Sequence, residues 1–258
     1  DLGITGETAL VVGASDGIGY ECAKALLEEG AEVLICSRSE AKLEAASAKL
    51  ERATGRKVRW CAADVTVRAQ VDALQTWLET SAPRLHILVS AVGGSRRALF
   101  EELDDAAWLE NYEFNVLGTV RVIRAAAPLL KASGAGRIVV VASLAAMVGE
   151  PYIAAYTASK HGVLGLVRSA ASELAATGVT VNAVCPGYVD TPMTDATVLG
   201  IAEKTGRAAA DARSVLERKQ PIGRLISPEE VADTVSFCVR NGGMTGQGLN
   251  VDGGAVQS

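Results

Sequence analysis

The stretch Thr8-Ala9-Leu10-Val11-Val12-Gly13-Ala14-Ser15-Asp16-Gly17-Ile18-Gly19 decides the fold. A short run that is apolar on both faces of an extended chain passes into three spaced glycines, and an amphipathic segment follows. Such a run reads as a strand buried on both sides, the kind that parallel sheets contain. Residues 18–29 read as a helix closed by Gly30. Glycine lets the chain turn sharply and lets an anion approach the backbone, while the N–H groups and dipole of the new helix favour negative charge. The spacing G-x-x-x-G-x-G, set between strand and helix, therefore predicts a cradle for the pyrophosphate of a dinucleotide. Gly13, Ser15, Asp16, Gly17, Ile18 and Gly19 are its expected contacts.

The same alternation continues outward. Further strands are predicted at 32–36, 58–61, 87–89, 137–141, 180–184 and 248–251, with helices at 39–53, 67–80 and 152–176 and one opening at Pro228. A single long helical stretch is predicted for 106–131. This pattern implies an α/β, Rossmann-type doubly wound parallel sheet of about seven strands, helices on both faces, in one domain over 1–258. Residues 192–223 fit the sheet poorly. They are polar and bracketed by Pro192 and Pro221, and read as a substrate lid.

Composition bounds the function. With 49% hydrophobic and 21% charged residues in 258, a filled core is easy to build. A net charge of −5 and the lack of an aromatic–basic stripe argue against nucleic acid. Apolar runs fall short of the ~18 residues of a membrane span, and no leader pattern opens the sequence, so a cytoplasmic location is expected. Five scattered cysteines and two distant histidines, His86 and His161, predict no disulfide framework and no metal site.

Three further places carry chemistry. Ser37 and Arg38 end the second strand, eighteen residues beyond Gly19, where such folds meet the adenosine ribose. A guanidinium there and no carboxylate favour NADP(H), with NAD(H) as the other possibility; Asp16 is a counter-signal. Asp64 and Val65 follow the third strand and could meet the adenine edge, or Asp64 could cap a helix. Tyr156 and Lys160 stand four apart and share a helical face, so the ammonium should lower the phenol's pKa and make it an acid–base group. Ser143 ends the fifth strand at the ligand edge, where its hydroxyl can hold a substrate oxygen. Asn115 could position a water or the backbone at the lysine for proton relay.

Together these pieces resemble the classical short-chain dehydrogenases/reductases, from Val11 to Gly254. The glycine motif, Asn115 within Phe114-Asn115-Val116, Ser143 thirteen residues before Tyr156, the Tyr156-x-x-x-Lys160 pair and Pro186-Gly187 carry the resemblance. It implies an enzyme moving hydride between a nicotinamide cofactor and a carbonyl or alcohol, with a tetrad at Asn115, Ser143, Tyr156 and Lys160. It implies that Lys160 also holds the nicotinamide ribose and that Pro186, Gly187, Val189 and Thr191 line the nicotinamide side. Ala91 and Gly93 would flank the cofactor after the fourth strand. Val251-Asp252-Gly253-Gly254 resembles a segment that relatives bury in a homotetramer; a homodimer is the other assembly considered. Two departures stand out: Val12 where the family usually has Thr, and Ser90-Ala91-Val92-Gly93 in place of Asn-Asn-Ala-Gly. That threonine ties the two loops together in relatives, so apolar packing is expected in its stead.

The Pro221-Ile222-Gly223-Arg224 region looks like ketoreductases acting on acyl or polyketide intermediates, and like hydroxybutyrate-type dehydrogenases. An NAD-dependent oxidation of a secondary alcohol or hydroxy acid is thus the alternative. A catalytically silent nucleotide-sensing protein is a rival of another class, opposed by the intact tetrad. Arg96, Arg97, Lys204, Arg207, Arg213, Arg218 and Lys219 are candidates for binding an anionic substrate group, or ordinary solvated charge.

Overall fold

The structure, a computed structural model, describes residues 2–94 and 97–257. Seven strands form one parallel sheet in the order β3-β2-β1-β4-β5-β6-β7. They are β1 (Thr8–Val12), β2 (Glu32–Ser37), β3 (Arg59–Ala62), β4 (Ile87–Ser90), β5 (Arg137–Val141), β6 (Thr180–Pro186) and β7 (Gly248–Val251). The helices are α1 (Gly17–Glu28), α2 (Glu40–Thr54), α3 (Arg68–Ser81), α4 (Asp105–Tyr112), α5 (Gly118–Ser133), α6 (Ala154–Leu174), α7 (Pro192–Thr205), α8 (Ala209–Arg218) and α9 (Pro228–Arg240).

Side chains alternate along each strand and so divide the core into two layers. Leu10, Val12, Leu34, Leu88, Ile138 and Val181 face α3, α5 and α6. Ala9, Val11, Ile35, Val89, Val139 and Val184 face α1, α2 and α9. Each fully buried Leu, Ile or Val adds roughly 1.5–3 kcal/mol relative to exposure, so a polar residue in these strands would need a partner.

The strand order reverses direction between β1 and β4, which opens a crevice at the carboxyl edge of the sheet. The loops beside it are tied by backbone bonds: Gly13 N donates to Cys36 O at 2.8 Å and Ala91 N to Val12 O at 2.8 Å. Val12 and Ser90 are register partners on the same face. Val12 is buried, and the buried Ser90 hydroxyl has no hydrogen-bond partner. The threonine link of relatives is thus replaced by apolar packing and the backbone bond.

One prediction needs correction. The stretch 106–131 is not one α-helix: α4 and α5 are joined by a π-helical turn at Glu113–Leu117, closed by a bond from Gly118 N to Glu113 O. Asn115 sits in that turn. The extra residue of a π turn changes the direction of one side chain without breaking the apolar face, so periodicity does not reveal it. Residues 192–223 hold the helices α7 and α8, which enclose a small core of Val198, Ala212, Leu216 and Leu225.

Candidate active site

A cleft lies over the crevice. The glycine loop lines one end with Gly13, Asp16, Gly17, Ile18 and Gly19, and the loop after β4 adds Ala91, Val92 and Gly93. Ser143, Tyr156 and Lys160 form the far wall, and Pro186, Gly187, Val189 and Thr191 the side beneath α7. Sequence reading missed Met193 and Thr194 of α7, and Val141 and Ala142 of the β5 end. Thr191 and Pro192 are a legible cap and first-turn pair, but which way the following helix leans is set by its packing.

The predicted residues at the adenosine end stand apart from this cleft. Ser37 ends β2 with its hydroxyl buried and unpartnered. The Arg38 guanidinium stacks 5.4 Å from the centre of the Phe114 ring. Asp64 accepts from Thr66 N and Oγ1, so it closes a turn of its own; Val67 occupies the N-cap position of α3 without a side-chain cap bond. Val65 is buried in the core and its carbonyl is taken by Arg121 at 3.1 Å. Ser15 does not line the cleft. Asp16 leaves the α1 cap unmade and pairs with Lys42 at 3.3 Å.

Lys160 is 2% exposed, and its ammonium donates to the carbonyls of Val92 (3.4 Å) and Val141 (3.3 Å). Among the described residues no carboxylate meets it there, and burial pulls its pKa down to about 8. The ammonium stands 5.6 Å from the centre of the Tyr156 ring. The expected lowering of the Tyr156 pKa is not what the structure gives: burial raises it, offset in part by hydrogen bonding with Ser143. Desolvation acts on both partners and keeps the phenol protonated. Ser143 Oγ also accepts from Ala145 N at 3.1 Å, so it both caps a short turn and faces the cleft.

Asn115 holds the loop after β4. Its Oδ1 accepts from Gly94 N at 3.2 Å, and its Nδ2 donates to Gly94 O and Asn111 O at 3.0 and 2.9 Å. The side chain is therefore spent on loop geometry.

A second polar cluster borders the α7–α8 insertion. Tyr188 Oη donates to Glu150 Oε2 at 2.7 Å and Lys219 Nζ to the same oxygen at 2.8 Å. Buried Gln220 accepts from Tyr188 N at 2.8 Å and donates to Tyr188 O and Arg224 O. Gly187 leaves room for that amide, since an added Cβ would run into Gln220 Oε1. These contacts join positions 150, 188 and 219–220, far apart in sequence, which left no local signal.

Charge candidates are reduced accordingly. Lys219 is paired with Glu150, and Arg213 with Asp190 (2.7 Å), Asp195 and Glu217. Arg97 lies close enough to Glu150 to act on its charge. Lys204, Arg207 and Arg218 are exposed. Arg96 lies outside the described residues. Among the described residues no group of side chains could hold a metal ion, and no helix is long and apolar enough to cross a membrane. His86 accepts from Thr8 N at 3.1 Å, a structural role.

The residues present fit a nicotinamide dinucleotide. Gly13, at φ 84°, lets the glycine loop pass so close to the loop after β4 that a Cβ would stand 2.6 Å from Ala91 O. At the other end, a buried ammonium held only by two carbonyls has donors left for ribose hydroxyls.

Comparison with known proteins agrees. The short chain dehydrogenase family profile matches residues 7–200. A putative ketoacyl reductase of Streptomyces coelicolor is 37% identical over 255 residues, covering 96% of each chain. The D-beta-hydroxybutyrate dehydrogenase of Cupriavidus necator is 33% identical, covering 98% of this chain and 99% of that protein. A single-substitution variant of the actinorhodin polyketide ketoreductase, solved with NADPH, superposes with a TM-score of 0.92 at 35% identity, over 97% of each chain. The chain belongs to the short-chain dehydrogenase family and is an oxidoreductase of that family.

Proposed function

We propose that the protein is an NADP(H)-dependent ketoreductase acting on an acyl, polyketide or related ketone. The observation that carries this reading is the phenol of Tyr156 at the cleft wall, with Ser143 beside it and the buried Lys160 ammonium behind. The glycine loop and the cleft wall would hold the dinucleotide, whose nicotinamide would supply the hydride for the carbonyl carbon. Tyr156 gives the proton that the carbonyl oxygen gains, and burial that keeps the phenol protonated suits that direction. Ser143 donates to the same oxygen and orients it. Lys160, whose ammonium has donors left beyond the two carbonyls it meets, would hold the ribose hydroxyls of the cofactor. Asn115 is a positioning residue, through Gly94 and the loop after β4.

Arg38 and the absence of a carboxylate at the end of β2 support NADP(H) over NAD(H). Helices α7 and α8 act as the lid, with Thr191, Met193 and Thr194 closing on the cleft. The assembly is a homotetramer in which Val251-Asp252-Gly253-Gly254 approaches an interface. A hydroxy-acid dehydrogenase is the second reading, favoured by the similarity to the hydroxybutyrate enzyme. A panel of β-keto esters, cyclic ketones and hydroxy acids, run with NADPH and NADH or their oxidised forms, separates the two. Faster ketone reduction with NADPH is expected; equal or better use of NADH, or turnover of hydroxy acids alone, overturns the proposal.

A further inference from the structure

We infer that Lys42 is a second cation for the 2′-phosphate of NADP(H), offsetting the negative charge that Asp16 brings to the glycine loop. This deepens the cofactor reading above and rests on it. The geometry begins at the end of β2. Gly13 N and Ala14 N both donate to Cys36 O, at 2.8 and 3.4 Å, so the glycine loop is fastened beside the Ser37-Arg38 step. Asp16 projects from that loop. Lys42, in the first turn of α2, reaches back across the gap and sets its ammonium 3.3 Å from Asp16 Oδ2. The ammonium is thus held against the loop that takes the pyrophosphate, on a helix that starts three residues after Ser37.

The local charge explains why a second cation is needed. Arg38 interacts electrostatically with Asp64, and Asp16 adds a second carboxylate on the glycine loop. One guanidinium already coupled to Asp64, with the Asp16 carboxylate on the glycine loop, would not by itself favour a phosphate that carries nearly two negative charges of its own. Lys42 is the cation that the structure places directly against the loop.

The exchange it must make is easy. The side chains of Lys42 and Asp16 are 66% and 51% exposed, and an ion pair so open to water is weak. Turning the ammonium from a carboxylate to a doubly charged phosphate is then favourable. Ser37 and Arg38 lie a few residues before Lys42 in sequence. The Ser37 hydroxyl is buried without a partner, and Arg38, stacked on Phe114, makes no hydrogen bond among the described residues.

Calorimetric titration with 2′,5′-ADP and with ADP tests this without turnover. The wild-type protein should bind 2′,5′-ADP more tightly than ADP. Lys42→Met should weaken 2′,5′-ADP about five- to tenfold and leave ADP within about twofold, while Lys42→Arg keeps the wild-type ratio. The ADP arm shows that the variant cleft is intact. A wild-type protein that does not separate the two probes overturns the cofactor reading and Lys42 with it. A wild-type preference that survives in Lys42→Met, or an equal loss for both probes, overturns the Lys42 assignment alone.

Discussion

Lys160 shows the conflict between stability and activity at a single residue. Its ammonium is buried with two long contacts to carbonyls, which does not repay the lost hydration. Lys160→Met should therefore raise the stability of the ligand-free protein, by about 1–3 kcal/mol at neutral pH, while abolishing turnover. The folded form of Lys160 titrates at about 8 and the unfolded form near 10.5, so the cost is complete below pH 8. As pH rises from 8 to 10.5 the folded form releases its proton first and the cost fades. Thermal melts of both proteins across that range should show the variant's advantage shrinking; a variant less stable than wild type at pH 7 would mean that the buried ammonium is well paid for by its surroundings. A second residue-scale test lies at the β1–β4 seam. Val12→Thr places a hydroxyl opposite the orphaned Ser90 hydroxyl. One recovered buried hydrogen bond contributes about 1 kcal/mol and should lift the melting point by about 2 °C; a drop would mean that the apolar seam prefers Val. Tyr156, Lys160 and Ser143 were legible because their spacing alone places them on one helix face and one strand end. The direction of the Tyr156 shift was not, because it depends on how much water the fold removes from both groups.

Element boundaries were legible wherever a cap marks them. Ser39 accepts from Lys42 N at the start of α2, and Ser227 and Glu230 close a capping box on α9. The π turn that carries Asn115 was invisible because it preserves the apolar stripe on either side. The α7–α8 insertion depends on a contact of the same hidden kind. The amide of Gln220 satisfies three backbone groups at once, two on Tyr188 and one on Arg224. Gln220→Ala should destabilise the protein by about 2–4 kcal/mol. It should also speed hydrogen exchange across 186–225 before it affects β1 to β5. Uniform acceleration over the whole chain would show that the amide supports the global fold and not this segment in particular.

At the scale of the molecule, alternation of short apolar runs with amphipathic ones sufficed to indicate a parallel sheet covered on both sides. The glycine loop placed the ligand crevice at its carboxyl edge. The strand order β3-β2-β1-β4-β5-β6-β7 follows from right-handed crossovers once the chain reverses after β3. What alternation could not supply is the polar cluster beside the α7–α8 insertion, since Glu150, Tyr188 and Lys219 meet only after the sheet has closed. The catalytic assignment stands or falls with the Tyr156→Phe variant, which keeps the ring and removes only the oxygen. Its NADPH-dependent ketone reduction should fall by at least about 100-fold, with NADPH affinity, read from nucleotide fluorescence, unchanged within about threefold. Retained turnover in that variant would contradict the role given to the phenol.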